Sequence, residues 1–193
     1  MSANPRLGNL GLYKLSQTSG LMTTIAAGTG SAGHVFAFRW ASATLRARVQ
    51  RIKLKWQTTV AFTAAQELQF SIFRLTGYSA SHAAGTAATL TSPNLKKFSG
   101  GATSALTDAR IATAAALTAG THTLDAMAMG TLICWSQASA TEPIAAEATF
   151  ESDAQVGHIM KFVANEGFIV RNEVVQGAVG VGRLLVEVDW AEL

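Results

Sequence analysis

VGHIMKFVANEGFIVRNEVVQGAVGVGRLLVEVDW, residues 156–190, decides the fold. Val156, His158, Met160 and Phe162 alternate with Gly157, Ile159 and Lys161. Phe168, Val170 and Asn172 alternate with Ile169, Arg171 and Glu173. Leu184, Val186, Val188 and Trp190 alternate with Arg183, Leu185, Glu187 and Asp189. Apolar side chains at every second position put one face of a strand on a core and the other in water. Turn-formers separate the runs: Asn165-Glu166-Gly167, then a glycine-rich link from Gln176 through Gly177, Gly180 and Gly182 that reads as a hairpin loop. Three strands in sequence, none followed by a helix pattern, predict an antiparallel all-β protein.

Upstream the pattern continues. Phe36, Phe38 and Trp40 share one face of a strand over 34–40. Leu45, Ala47 and Val49 share a face, and after Gln50-Arg51 the apolar parity moves to Ile52, Leu54 and Trp56. One extra residue that flips the parity is the signature of a β-bulge. Across it the polar face stays basic, through Arg46, Arg48, Arg51, Lys53 and Lys55. Leu68, Phe70 and Ile72 form another strand, and Phe73 with Leu75 suggests a second bulge or a strand end. Residues 76–93 read as loop, 110–117 and 130–135 as strands. About eight strands and no amphipathic helix in one composition zone predict a jelly-roll-like β-sandwich over 34–193. Residues 1–33, rich in glycine and threonine, read as a flexible N-terminal arm, with Leu10, Leu12, Tyr13 and Leu15 able to form a short strand. An immunoglobulin-like sandwich is the alternative, but it usually needs about half this length.

Composition narrows the functional classes. The 193 residues suit one domain with a sizeable core. Charged residues make up 14 %, against roughly 25 % in an average soluble domain, which suggests a surface partly covered by other subunits. The formal net charge of +3 is too mild for a nucleic-acid arm. Cys134 is the single cysteine, so no intrachain disulfide or thiolate metal site is expected; it reads as a small buried hydrophobe. The first residues lack the order of a secretion signal, and no apolar run reaches about 18 residues. The expectation is synthesis in a reducing cytoplasm and no membrane span.

Catalytic patterns are lacking. His34, His82, His122 and His158 show no metal-ligand spacing; His158 reads as a core histidine, and His82 and His122 as solvated loop residues. No glycine-x-serine-x-glycine elbow is present. Glu142, Glu147, Glu151 and Asp153 match no calcium loop, and the glycines open no phosphate-binding helix. The expectation is a non-enzyme without metal or cofactor. The basic residues Arg46, Arg48, Arg51, Lys53 and Lys55 are the candidate partner-binding set, against the plain alternative of a solvated outer face. An acidic protein surface suits them better than nucleic acid, because the strand's aromatics lie on the opposite parity.

Three stretches carry a resemblance: TVAFTAAQEL (59–68), DARIATAAALTAGTHTLD (108–125), and NEGFIVR (165–171) with the closing VEVDW (186–190). They resemble a group of tailed-bacteriophage virion proteins. The resemblance implies a head decoration, or cement, protein on the capsid surface. Such a protein oligomerises, with a trimer favoured and a dimer open, and bridges subunits of the major capsid protein. It implies synthesis in a host bacterial cytoplasm. The alternative is a tail or fibre module that binds host glycans. Trp40, Trp56, Trp135 and Trp190 all fall on inward parities, leaving Tyr78 in a loop as the candidate sugar platform.

Overall fold

A computed structural model describes residues 11–23, 33–90, 96–97, 103–136, 145–151, 160–177 and 179–193. Thirteen strands lie within them: β1 (Gly11–Thr18), β2 (Met22–Thr23), β3 (His34–Trp40), β4 (Ala47–Val60), β5 (Gln66–Ala80), β6 (Thr86–Ala87), β7 (Lys96–Lys97), β8 (Asp108–Ile111), β9 (Thr121–Ser136), β10 (Ala145–Glu151), β11 (Met160–Phe162), β12 (Glu166–Asn172) and β13 (Val181–Glu192). They form two antiparallel sheets packed face to face, a β-sandwich. The first sheet runs β10-β4-β13-β1-β7, with β11 also pairing β4 and β2 also pairing β13. The second runs β6-β8-β3-β12-β5-β9. The short strands raise the number above the eight expected.

The decisive stretch divides between the layers. β11 and β13 flank β4 in the first sheet, while β12 sits between β3 and β5 in the second. The Gly177–Gly182 link is therefore not a hairpin loop but a crossing from one sheet to the other. Gly182 sits where a Cβ would lie 2.0 Å from Cζ2 of Trp56, so only the bare backbone fits against that indole. The part of the first run before Met160, with His158, lies outside the described residues.

β1 belongs to the sandwich rather than to a loose arm. It pairs β13 over its whole length, and Tyr13 and Leu15 are buried, with Tyr13 stacked on Trp190 at 5.6 Å. The rest of 1–33, apart from residues 11–23 and 33, lies outside the described residues.

The main core is formed by the inward parities read for β3, β4, β5, β12 and β13. Trp56 meets Phe70 across the layers at 5.1 Å, and Trp190 meets Phe38 edge-on at 5.6 Å. Each of the three buried indoles has a partner for its N–H: Trp40 donates to Leu45 O, Trp56 to Thr58 Oγ1 and Trp190 to Glu192 Oε1. Glu192 is itself buried, accepting from Ser104 Oγ at 2.5 Å and from Ala105 N at 3.0 Å. Cys134 is buried, as its neighbours suggested.

The bulge at Gln50 is present: β13 pairs Asp189 with Arg51 and Trp190 with Val49, skipping Gln50. A second bulge lies in β3, where β12 pairs Val170 with Phe36 and Arg171 with His34, skipping Val35. Val35 and Phe36 then both face the main core. The irregularity expected at Phe73 and Leu75 is present on the β9 side, where the register shifts between Ile72 and Phe73 and again between Phe73 and Leu75, while β5 pairs β12 continuously from Phe70 to Leu75. Phe73 and Leu75 face the opposite side and join Ala37, Tyr78, Leu117 and Ile169 in a second, smaller core. β5 also runs on to Ala80, into the segment expected as loop. β8 ends at Ile111, and 112–117 is irregular rather than strand.

Candidate functional site

The five cations of the predicted partner-binding set lie at or on β4, a central strand of the first sheet. Arg46 precedes the strand and is exposed, while Arg48, Arg51, Lys53 and Lys55 are half-buried on its outer face. Acidic residues of the adjoining strands face them. Lys55 pairs in register with Glu147, and Arg51 with both Glu151 and Asp189. Arg51 forms an ion pair with Asp189 at 2.7 Å and Lys53 with Glu147 at 2.8 Å. The Lys53 hydrogen bond holds the exposed Glu147 carboxyl below its usual range. Cross-strand pairs of opposite charge stabilise a sheet locally. Part of the basic row is thus balanced within the protein, leaving Arg46 at its end as the cation most open to a partner.

A constellation invisible in the local sequence sits on the outer face of the second sheet. The Val35 bulge turns His34 away from the main core. The chain leaving β5 passes His82 beside it, and His122 opens β9. His34 Nδ1 lies 2.9 Å from His82 Nε2, and Tyr78 Oη lies 2.5 Å from His82 Nδ1. His82 and His122 stack at 5.0 Å, and Tyr78 meets both rings edge-on. His34, His82 and Tyr78 are buried and His122 is half-buried. The solvated loop histidines expected at 82 and 122 are therefore wrong, and histidines with no metal-ligand spacing in the sequence meet in space: donor atoms of His34, His82 and His122 all lie within 4.8 Å of one another. Burial pushes the His34 imidazole down to about 3 and His82 to about 4, helped by the neighbouring imidazoles. Burial also lowers His122 and raises the Tyr78 phenol. All three rings are neutral near pH 7, with lone pairs free of protons. Gly120, at φ 95°, brings its backbone against the His82 ring; a Cβ there would stand 3.1 Å from the ring atoms.

β9 presents the third feature. It is an edge strand, pairing β5 alone among the described strands. Met127, Met129, Ile133 and Trp135 are exposed along it, Trp135 by 62 % and Met127 by 81 %; Ile133 and Trp135 share the outward face, and the register shift opposite Phe73 separates them from Met127. Trp135 therefore does not point inward as its parity suggested. Tyr78, by contrast, is fully buried and offers no sugar platform. A shallow groove of about 290 Å³ between β1 and the β6 region, lined by Leu15, Ser16, Gln17 and Thr86 to Thr89, carries no titratable side chain. No helix among the described residues is long and apolar enough to cross a membrane.

The fold places the chain among two-sheet antiparallel β-sandwiches. Compared with known proteins, the chain matches no family model, no curated protein and no solved structure.

Proposed function

We propose that this chain is a structural assembly subunit: a decoration protein of a tailed-bacteriophage capsid that associates with its own copies and bridges subunits of the shell. The observation that carries the assembly reading is the set of exposed apolar side chains Met127, Met129, Ile133 and Trp135 along an edge strand. An exposed apolar edge invites pairing with another chain unless something covers it. The low charged fraction supports the same reading, and the resemblance of the 59–68, 108–125 and 165–171 segments to phage virion proteins supplies the setting. A jelly-roll winding, a trimer and a place on the outer capsid surface belong to this reading. Mechanically, a protein bridging capsomers adds buried interface to a shell under internal genome pressure. A total of about 1,600 Å² with a well-packed centre suffices for stable association.

Virions with and without the protein, heated or osmotically shocked, test the reading. Shells lacking it should open at lower temperature, and a reconstruction should place it on the head. Equal robustness, or density on the tail, refutes it. Exposed Trp135 favours a second reading, a tail module that stacks host sugars on an aromatic surface. Its neighbours Ile133 and Met129 supply no hydrogen bonds to hydroxyls, so protein contact suits the set better. Glycan-array binding abolished by Trp135→Ala would reverse that order.

A further inference from the structure

Three imidazoles gathered from distant parts of the chain leave two ring nitrogens without partners. His34 Nε2 and His122 Nδ1 are both buried and unbonded. Each such orphan costs about 1–3 kcal/mol. The sheet spends a bulge at Val35 and a positive-φ glycine at 120 to bring these rings together. A hydrophobic cluster would fill the same space without the orphans.

We propose that His34, His82 and His122 bind one divalent transition-metal ion of the zinc class, fastening the edge strand β9 to the central strand β3. The donor set is three nitrogens, which suits zinc, copper, nickel or cobalt and not calcium or magnesium, which take oxygen ligands. The spacing fits. Zinc–nitrogen bonds of about 2.0–2.1 Å in a tetrahedron set ligand atoms about 3.3 Å apart. His34 Nδ1 and His82 Nε2 are 2.9 Å apart, and the three donors all lie within 4.8 Å of one another, so binding draws the widest pair in by at most about 1.5 Å. His34 coordinates through Nδ1 with its proton on Nε2, so of the two unbonded nitrogens it is His122 Nδ1 that the ion would take up.

The outer partner of the site is present as well. Ligating histidines donate their second ring N–H to a fixed acceptor, which sets tautomer and orientation. Tyr78 Oη stands at His82 Nδ1 in that role, leaving His82 Nε2 for the ion. Three protein ligands leave a fourth position for water.

The mechanical meaning follows from the strand order. β12 and β5 separate β3 from β9 in the sheet. An ion held by His34, His82 and His122 ties these elements across the sheet face. It also fixes the start of the strand that carries the exposed apolar side chains.

The test is zinc titration of the full chain, stripped with a chelator, by calorimetry and thermal melting, with cobalt(II) absorption reporting geometry. The expected result is one zinc per chain, a raised melting temperature and a visible cobalt spectrum of tetrahedral type. His122→Gln and His82→Gln should each weaken binding by more than about tenfold, and Tyr78→Phe by about tenfold as a positioning change. His158→Gln should leave binding unchanged. Zinc below a tenth of an equivalent for the wild-type chain, or binding indifferent to His122→Gln, overturns the proposal. Should a variant fail to fold, nitrogen-15 spectra of the wild-type imidazoles decide. Zinc must shift three of the four histidines; shifts in none or in one alone refute the site.

Discussion

Lowering the pH of the metal-free protein from 7 to 5 should cost it several kcal/mol of stability, long before its carboxylates begin to titrate. His34 and His82 are held neutral in the fold, with pKa values lowered to about 3 and about 4. In the unfolded chain an imidazole takes up its proton near pH 6.5. Below that pH the unfolded state binds more protons than the folded state, so stability falls as pH falls. The contribution is complete above about 6.5 and is lost progressively toward the folded values. Between pH 6.5 and 5 each ring loses about 1.5 pH units at about 1.4 kcal/mol per unit, or about 2 kcal/mol. The two together lose about 4 kcal/mol, and His122, shifted in the same direction, adds to the fall. Urea denaturation followed by tryptophan fluorescence measures this. A His158→Gln background removes the fourth imidazole. Replacing His82 by glutamine, whose amide still donates and accepts, should cut the loss by about 2 kcal/mol. A midpoint flat between pH 7 and 5, or a decline unchanged by His82→Gln, would refute the reasoning.

Other expectations concern the edge, the core and the charged face. The double change Ile133→Thr with Trp135→Ser should weaken self-association in sedimentation velocity while shifting folding stability by no more than about 0.5 kcal/mol, since both side chains are exposed; an unchanged sedimentation profile counts against β9 as the interface. Glu192→Ala strips Ser104, Ala105 and the Trp190 indole of their acceptor and should cost about 2–3 kcal/mol in denaturant unfolding. Gly182→Ala drives a methyl into Trp56 and should cost about 1–3 kcal/mol, with altered tryptophan fluorescence as an independent sign of the clash. Arg51→Gln and Lys53→Gln, which break half-exposed ion pairs on the outer sheet face, should each change stability by less than about 1 kcal/mol.

How much of this the amino-acid order revealed depended on polar contrast. In β4 and β13 the inward residues are apolar and the outward ones charged, so the two faces and the Gln50 bulge were legible. In β3 the bulge falls between Val35 and Phe36, both apolar, and the turning of His34 left no trace in the pattern. In β9 the outward Ile133 and Trp135 alternate with the inward Leu132 and Cys134, so hydrophobicity alone could not tell the faces apart. Tyr78 was hidden by Gly77, whose φ of 57° changes the parity at the end of β5. The histidine cluster depends on long-range topology. Its members share no local motif, and no local spacing would have found it. The division of strands between sheets was likewise beyond periodicity, which reports which face is buried and not which neighbour buries it.

The pairing of β1 with β13 sets the order in which the molecule can be made. β13 carries both β1 and β4 as neighbours, with Leu15 opposite Val188 and Ile52 opposite the same residue on the other side. Until β13 arrives, Tyr13, Leu15, Ile52, Leu54 and Trp56 have no complete sheet to join. A fold whose ladders close over such long stretches of chain pays loop-closure entropy before any reward and forms slowly. During synthesis the emerging chain must carry its apolar strands unpaired through most of translation. Chains halted before β13 should aggregate or be degraded rather than accumulate as partial sandwiches.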